Sequence, residues 1–186
     1  MSEFKSFDSN VEVIGEVIAA FQSAFPPELI EIGMITLRKH GIIDSQPGNF
    51  YPLQPFLNAM KDISDQFGGS MLFRIGAQIA TNAVLPPGMD SIESALAAID
   101  VAYHMNHRGG DIGHYLYNDL GVSGGLRKAH MVCPNPYPCA FDRGVIEGFA
   151  SRFKPEGIVD IIVNHDDTQP CRKEGSRACT YTVTWT

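Results

Sequence analysis

The chain has 186 residues, a net charge of −7, and 44% hydrophobic against 19% charged residues. That length fits one domain, 1–186, with a single sizeable core. Negative charge and scattered basic residues argue against a phosphate-binding footprint, so no nucleic-acid partner is expected.

The start "MSEFKSFDSN" carries no apolar signal core, and no stretch reaches membrane-spanning length. The expectation is a cytoplasmic protein with no membrane partner. Val13, Val17, Ile18 and Phe21 trace a helical stripe that ends before Pro26-Pro27. A second helix is predicted to start at Pro27, which the first helical turn tolerates, and to stop at Gly41. After the loop "IIDSQPGNFYP" a third helix covers 53–67 and ends at Gly68-Gly69. A fourth, over 70–84, is apolar on most sides, which predicts burial. "LPPGMD" breaks the chain. A fifth helix follows with Asp90 or Ser91 as cap, and Glu93 stands where a capping box would place it.

From Asp111 the pattern changes. Residues 111–120 read as a strand, "GVSGG" as a turn, and "LRKAHMVC" as the partner strand. "CAFDRGVIEGFASRF" reads as a helix with Phe141, Val145, Ile146 and Phe149 on its apolar side. Glycine costs about 1 kcal/mol against alanine inside a helix. Gly144 and Gly148, on one face, therefore point to close backbone approach, by the sheet or a second subunit, or else to a tolerant surface. "GIVDIIVNH" is a third strand. "ACTYTVTW" is a fourth, with Cys179, Tyr181, Val183 and Trp185 on one face and threonines on the other. A mainly helical part, 1–107, followed by strand–strand–helix–strand–strand over 111–186 is an α+β fold with an antiparallel sheet.

The four cysteines fall in two pairs, Cys133/Cys139 and Cys171/Cys179, each at element ends. Four thiolates can hold zinc tetrahedrally or an iron–sulfur cluster. The spacings C-x5-C and C-x7-C leave open four reduced thiols that never meet. C-x-x-C is absent, which argues against a redox disulfide. Without a metal, Cys139 at a helix N-terminus would be the candidate nucleophile, since the dipole favours its thiolate. His104 and His107 share a helix face and with His114 could bind a metal, including heme iron. The alternative is an ordinary helix end. His130 and His165 are expected to be exposed or hydrogen-bonded. A ligand pocket is expected between the sheet's apolar face and the helices. Its candidate lining is Phe73, Ile99, Tyr103, Tyr115, Tyr117, Phe141, Phe149 and Trp185, which could equally form an ordinary core.

The segment from Asp111 to Trp185 resembles the C-terminal half of 4-vinyl reductase domains, which are small-molecule-binding domains related in fold to the TRAPP and H-NOX group. Three features carry the resemblance: a cysteine opening a helix with glycines five and nine residues later, the C-x7-C pair, and the terminal alternating strand. It implies a mainly structural zinc at Cys139, Cys171 and Cys179, with a glutamate ahead of the helix as fourth ligand. This chain has no glutamate between Glu93 and Glu147, so Cys133 or Asp119 would have to replace it. The resemblance further implies a sensor-type homodimer that binds a small hydrophobic ligand. The alternatives it carries are an enzyme acting on a tetrapyrrole-like or other small substrate, through the histidines or Cys139, and an interaction scaffold.

Overall fold

The computed structural model describes residues 3–158 and 160–186. The helical part begins with β1 (Glu12–Ile14) and α1 (Gly15–Ser23), then a 3-10 turn at Pro27–Leu29 and α2 (Ile30–Lys39). β2 (Phe50–Pro52), α3 (Leu53–Phe67), α4 (Gly69–Asn82), α5 (Ile92–Asn106) and β3 (His107–Arg108) complete it. The second part is β4 (Leu116–Ser123), β5 (Leu126–Cys133), α6 (Cys139–Arg152), β6 (Ile161–His165) and β7 (Cys179–Trp185). This is the α+β order that the sequence predicts.

α3 shows how pattern becomes structure. Leu53, Phe56, Leu57, Met60 and Ile63 recur at helical spacing and are fully buried, and Gly68, at φ +76°, ends the helix. In the larger sheet, ordered β4-β5-β7-β6, every neighbouring pair is antiparallel. Cys179, Tyr181, Val183 and Trp185 are buried along β7. Among the described residues no helix is long and apolar enough to cross a membrane.

The structure corrects several expectations. A small antiparallel sheet, β2-β1-β3, which the sequence reading did not include, lies mostly within the part predicted to be mainly helical. Strands of two or three residues are too short to show alternation. Val13 belongs to β1 rather than to the first helix, which starts at Gly15. The second helix begins after the 3-10 turn that Pro27 opens. The box on α5 joins Ser91 and Ser94, each side chain accepting the other's backbone N–H at 3.1 and 3.0 Å, so Glu93 has no part in it. Residues 111–115 form a loop rather than strand, because Gly113 adopts φ +87°. The hairpin turn is confined to Gly124-Gly125, both at positive φ. Of the third predicted strand, 161–165 is strand, and Val159 lies outside the described residues.

The glycines of α6 find their reason in α4. A Cβ at Gly144 would lie 2.1 Å from the Phe73 carbonyl oxygen, and one at Gly76 2.1 Å from that of Phe141. Gly148 faces Ala77 in the same way. The two helices cross backbone to backbone, so this face receives α4 rather than the sheet or a second subunit.

Candidate functional site

The sheet end where β7 starts meets the N-terminus of α6. There the Sγ atoms of Cys139 and Cys179 are 3.1 Å apart, those of Cys139 and Cys171 3.5 Å, and those of Cys171 and Cys179 3.7 Å. All are reduced. His165, at the end of β6, brings its ring into the same group. His165 Nδ1 lies 2.7 Å from Asp167 Oδ1, while Nε2 is shut off from solvent with no oxygen or nitrogen partner, and the ring interacts with the Cys179 thiol. A carboxylate on Nδ1–H leaves the Nε2 lone pair for a metal. Zinc–sulfur bonds of about 2.3 Å in a tetrahedron place sulfurs roughly 3.8 Å apart, close to the separations found. Three thiols and this imidazole therefore fit zinc. A cleft of about 600 Å³, whose lining includes Cys139, His165 and Cys171, connects the site to solvent.

The cysteine pairs thus divide three to one. Cys133 stands opposite Cys179 in the β5–β7 register, yet its thiol is not among the atoms that meet. Burial, with Asp142 nearby, pushes it well above the ordinary thiol range, so it stays protonated. Asp119 pairs instead with Arg127 at 3.4 Å. A glutamate does reach the site from the other end of the chain, as Glu3 accepts the Cys139 N–H at 2.6 Å. The hydrogen bond between Cys139 and Cys179 lowers the Cys179 pKa and raises that of Cys139. Arg172, through its charge and its backbone N–H, also favours the thiolate form of Cys179, whereas the dipole argument concerns Cys139 at the first turn of α6.

Behind the thiols lies a buried polar chain. Arg172 follows Cys171, donates its backbone N–H to Cys179 Sγ at 3.4 Å, and turns its guanidinium onto the Asp142 carboxylate and the Cys133 carbonyl. Asp142 also accepts the Tyr115 hydroxyl at 2.5 Å and the Asn135 amide at 3.3 Å. Burial pushes its carboxyl up to about 6, against the pull of Arg172 and Tyr115.

Tyr115 leads to the second feature, a cavity of about 30 Å³ among α1, α4, α5, α6 and their loops. Of the predicted lining, Ile99, Tyr103, Tyr115, Phe141 and Phe149 face it. Phe73, Tyr117 and Trp185 do not: Phe73 lies under the Arg143 guanidinium, Tyr117 is half-buried on β4, and Trp185 ends β7 beside Arg127. No side chain of the larger sheet lines the cavity, because α6 stands between them. Polar residues that the sequence reading did not place in this lining include Asn106 and Tyr137, and His107, read there as a metal ligand, faces it too. The i, i+4 spacing of Tyr103 and His107 was the available signal. His107 Nδ1 lies 2.9 Å from the Tyr103 carbonyl oxygen, so Nδ1 donates and Nε2 accepts the Tyr137 hydroxyl at 2.7 Å. Burial holds His107 down to about 4, hence neutral. Asn106 is satisfied by the backbone of Val84 and Ala102.

The predicted histidine trio is split. His107 points inward, while His104 and His114 lie on the outside of α5 beside Asp100. Heme does not fit here. The cavity is about 30 Å³ against the several hundred of a cofactor pocket, and both nitrogens of the histidine in its wall are already bonded.

No protein-family model matches the sequence, and no curated relative matches it. Solved structures do. A doubly substituted Tt H-NOX is similar at TM-score 0.62 and 12% identity, over 93% of this chain and 94% of that one. An oxygen-binding H-NOX domain related to soluble guanylate cyclases is similar at 0.57 and 13%, over 92% and 91%. A variant of the T. Tengcongensis H-NOX gives 0.57 and 13%, over 92% and 93%. Across nearly its whole length, helices first and antiparallel sheet after, this chain has the fold of the H-NOX domains.

Proposed function

We propose that the chain is a single small-molecule-binding domain of the sensor type, of the 4-vinyl reductase kind and heme-free. A small apolar guest occupies the cavity, and zinc on Cys139, Cys171, Cys179 and His165 ties the sheet end to α6. The observation that carries this reading is the cavity wall. Every polar side chain lining it is satisfied within the protein. Water would find no partners there, whereas an apolar molecule needs none. The volume holds about two water-sized groups, so the guest is diatomic- or ethylene-sized unless the aromatic walls shift. The neighbour described as oxygen-binding supports a small guest. Zinc would be structural here: it would fix three elements that otherwise meet through thiol contacts. The reading includes a homodimer, for which exposed Leu116, Leu120 and Val122 of edge strand β4 offer apolar surface.

Xenon tests the cavity. Titration followed by xenon NMR should show saturable binding to the wild type and none to Ala102→Leu, which fills the space. Hemin should bind without a stoichiometric Soret band. Equal xenon responses in both proteins, or a one-to-one heme complex, would overturn the reading.

A further inference from the structure

Asp100, His104 and His114 gather on the outer side of α5 and share no residue with the thiol cluster. Each offers a ligand atom, and these atoms lie within 4.8 Å of one another. Asp100 and His104 are one helical turn apart, and His114 comes from the loop before β4. Asp100 Oδ1 is 3.3 Å from His114 Nδ1 and 3.6 Å from His104 Nδ1, and the two imidazole centres are 5.0 Å apart.

The loop that presents His114 is fixed independently of its side chain. Its N–H donates to the Pro134 carbonyl at 3.0 Å, and the next N–H, of Tyr115, donates to Asp100 Oδ1 at 2.8 Å. Gly113, at φ +87°, packs so close that a Cβ would lie 2.3 Å from the Pro134 oxygen. His104 donates its Nδ1–H to the Asp100 carbonyl oxygen at 2.8 Å, which leaves Nε2 as its ligand atom. A groove of about 300 Å³ runs alongside, lined by His104, His114 and the turn between His107 and Gly113.

We propose that Asp100, His104 and His114 form a second metal site, for a divalent first-row ion such as Fe(II), Co(II) or Ni(II). Two imidazoles and one carboxylate are the donor set such ions take while keeping positions open. The groove beside His104 and His114 leaves room for water or an exogenous ligand on such an ion. The site contains no sulfur and stands apart from the zinc reading, so either can fail alone.

The test is calorimetric titration of Ni(II) and Co(II) into the purified protein, its bound zinc determined beforehand, with absorption recorded in parallel. The wild type should bind a further equivalent without a thiolate charge-transfer band. His104→Ala and His114→Ala, both at exposed positions, should each weaken it about tenfold or more. Absence of a further equivalent in the wild type, its survival in both histidine variants, or a thiolate band accompanying it would overturn the proposal.

Discussion

The Arg172 guanidinium and the Asp142 carboxylate form an ion pair closed to solvent, with side-chain exposures of 1% and 0%. Arg172 sits next to a cysteine of the cluster, and Asp142 lies on α6 three residues after Cys139 and next to Phe141 of the cavity wall. Through Tyr115 the same carboxylate touches that wall.

Removing one partner of this pair leaves a buried charge uncompensated. Asp142→Ala is expected to cost about 3–5 kcal/mol in urea unfolding. Asp142→Asn, which keeps an acceptor for Tyr115, should cost less. A loss under about 1 kcal/mol for the alanine variant would contradict a closed ion pair.

The zinc ligands make a second prediction. Cys171→Ala should lower both bound zinc, measured by elemental mass spectrometry, and the melting temperature. His165→Ala should do the same. Asp167→Ala should act more weakly, because that carboxylate is 94% exposed and orients His165 from the solvent side. A cysteine variant with full zinc and an unchanged melting point would rule the site out.

His107 sets a pH dependence. Its folded pKa lies near 4 through burial, below the ordinary 6.5. Between these values the unfolded chain binds the extra proton, so stability is complete above pH 6.5 and falls as the pH drops toward 4. The shift corresponds to about 3 kcal/mol as an upper figure. Stability measured from pH 7 to 4 should therefore fall less steeply for His107→Gln than for the wild type. Identical slopes would place His107 in water.

Gly144→Ala should separate α4 from α6. The added methyl meets the Phe73 backbone, which cannot rotate away as a side chain could. The expected loss is about 1–3 kcal/mol or more. A variant as stable as the wild type in chemical denaturation would mean that the helices cross less closely than described.

Local pattern made much of the fold legible. α3 is readable from five apolar residues at helical spacing and a closing glycine pair, and β7 from strict alternation over seven residues. The grouping of Cys139, Cys171 and Cys179 came from the family resemblance, because the spacings C-x5-C and C-x7-C by themselves left four separate thiols equally open. The strands β1, β2 and β3 were not legible, because each is a few residues long and exists only by pairing with a distant segment.

What the sequence by itself determined was the order of the helices and of the larger sheet's strands, their buried faces and the presence of metal-competent side chains. Which of those side chains meet was decided by strand register and helix crossing. Pairing of β6 with β7 sets His165 across from Tyr181 and beside the thiols, whereas Cys133, opposite Cys179, is sealed into the core as a neutral thiol. The turn of α5 likewise sent His107 inward and His104 outward to Asp100 and His114. Such choices depend on contacts between segments far apart in the chain, and no local periodicity encodes them.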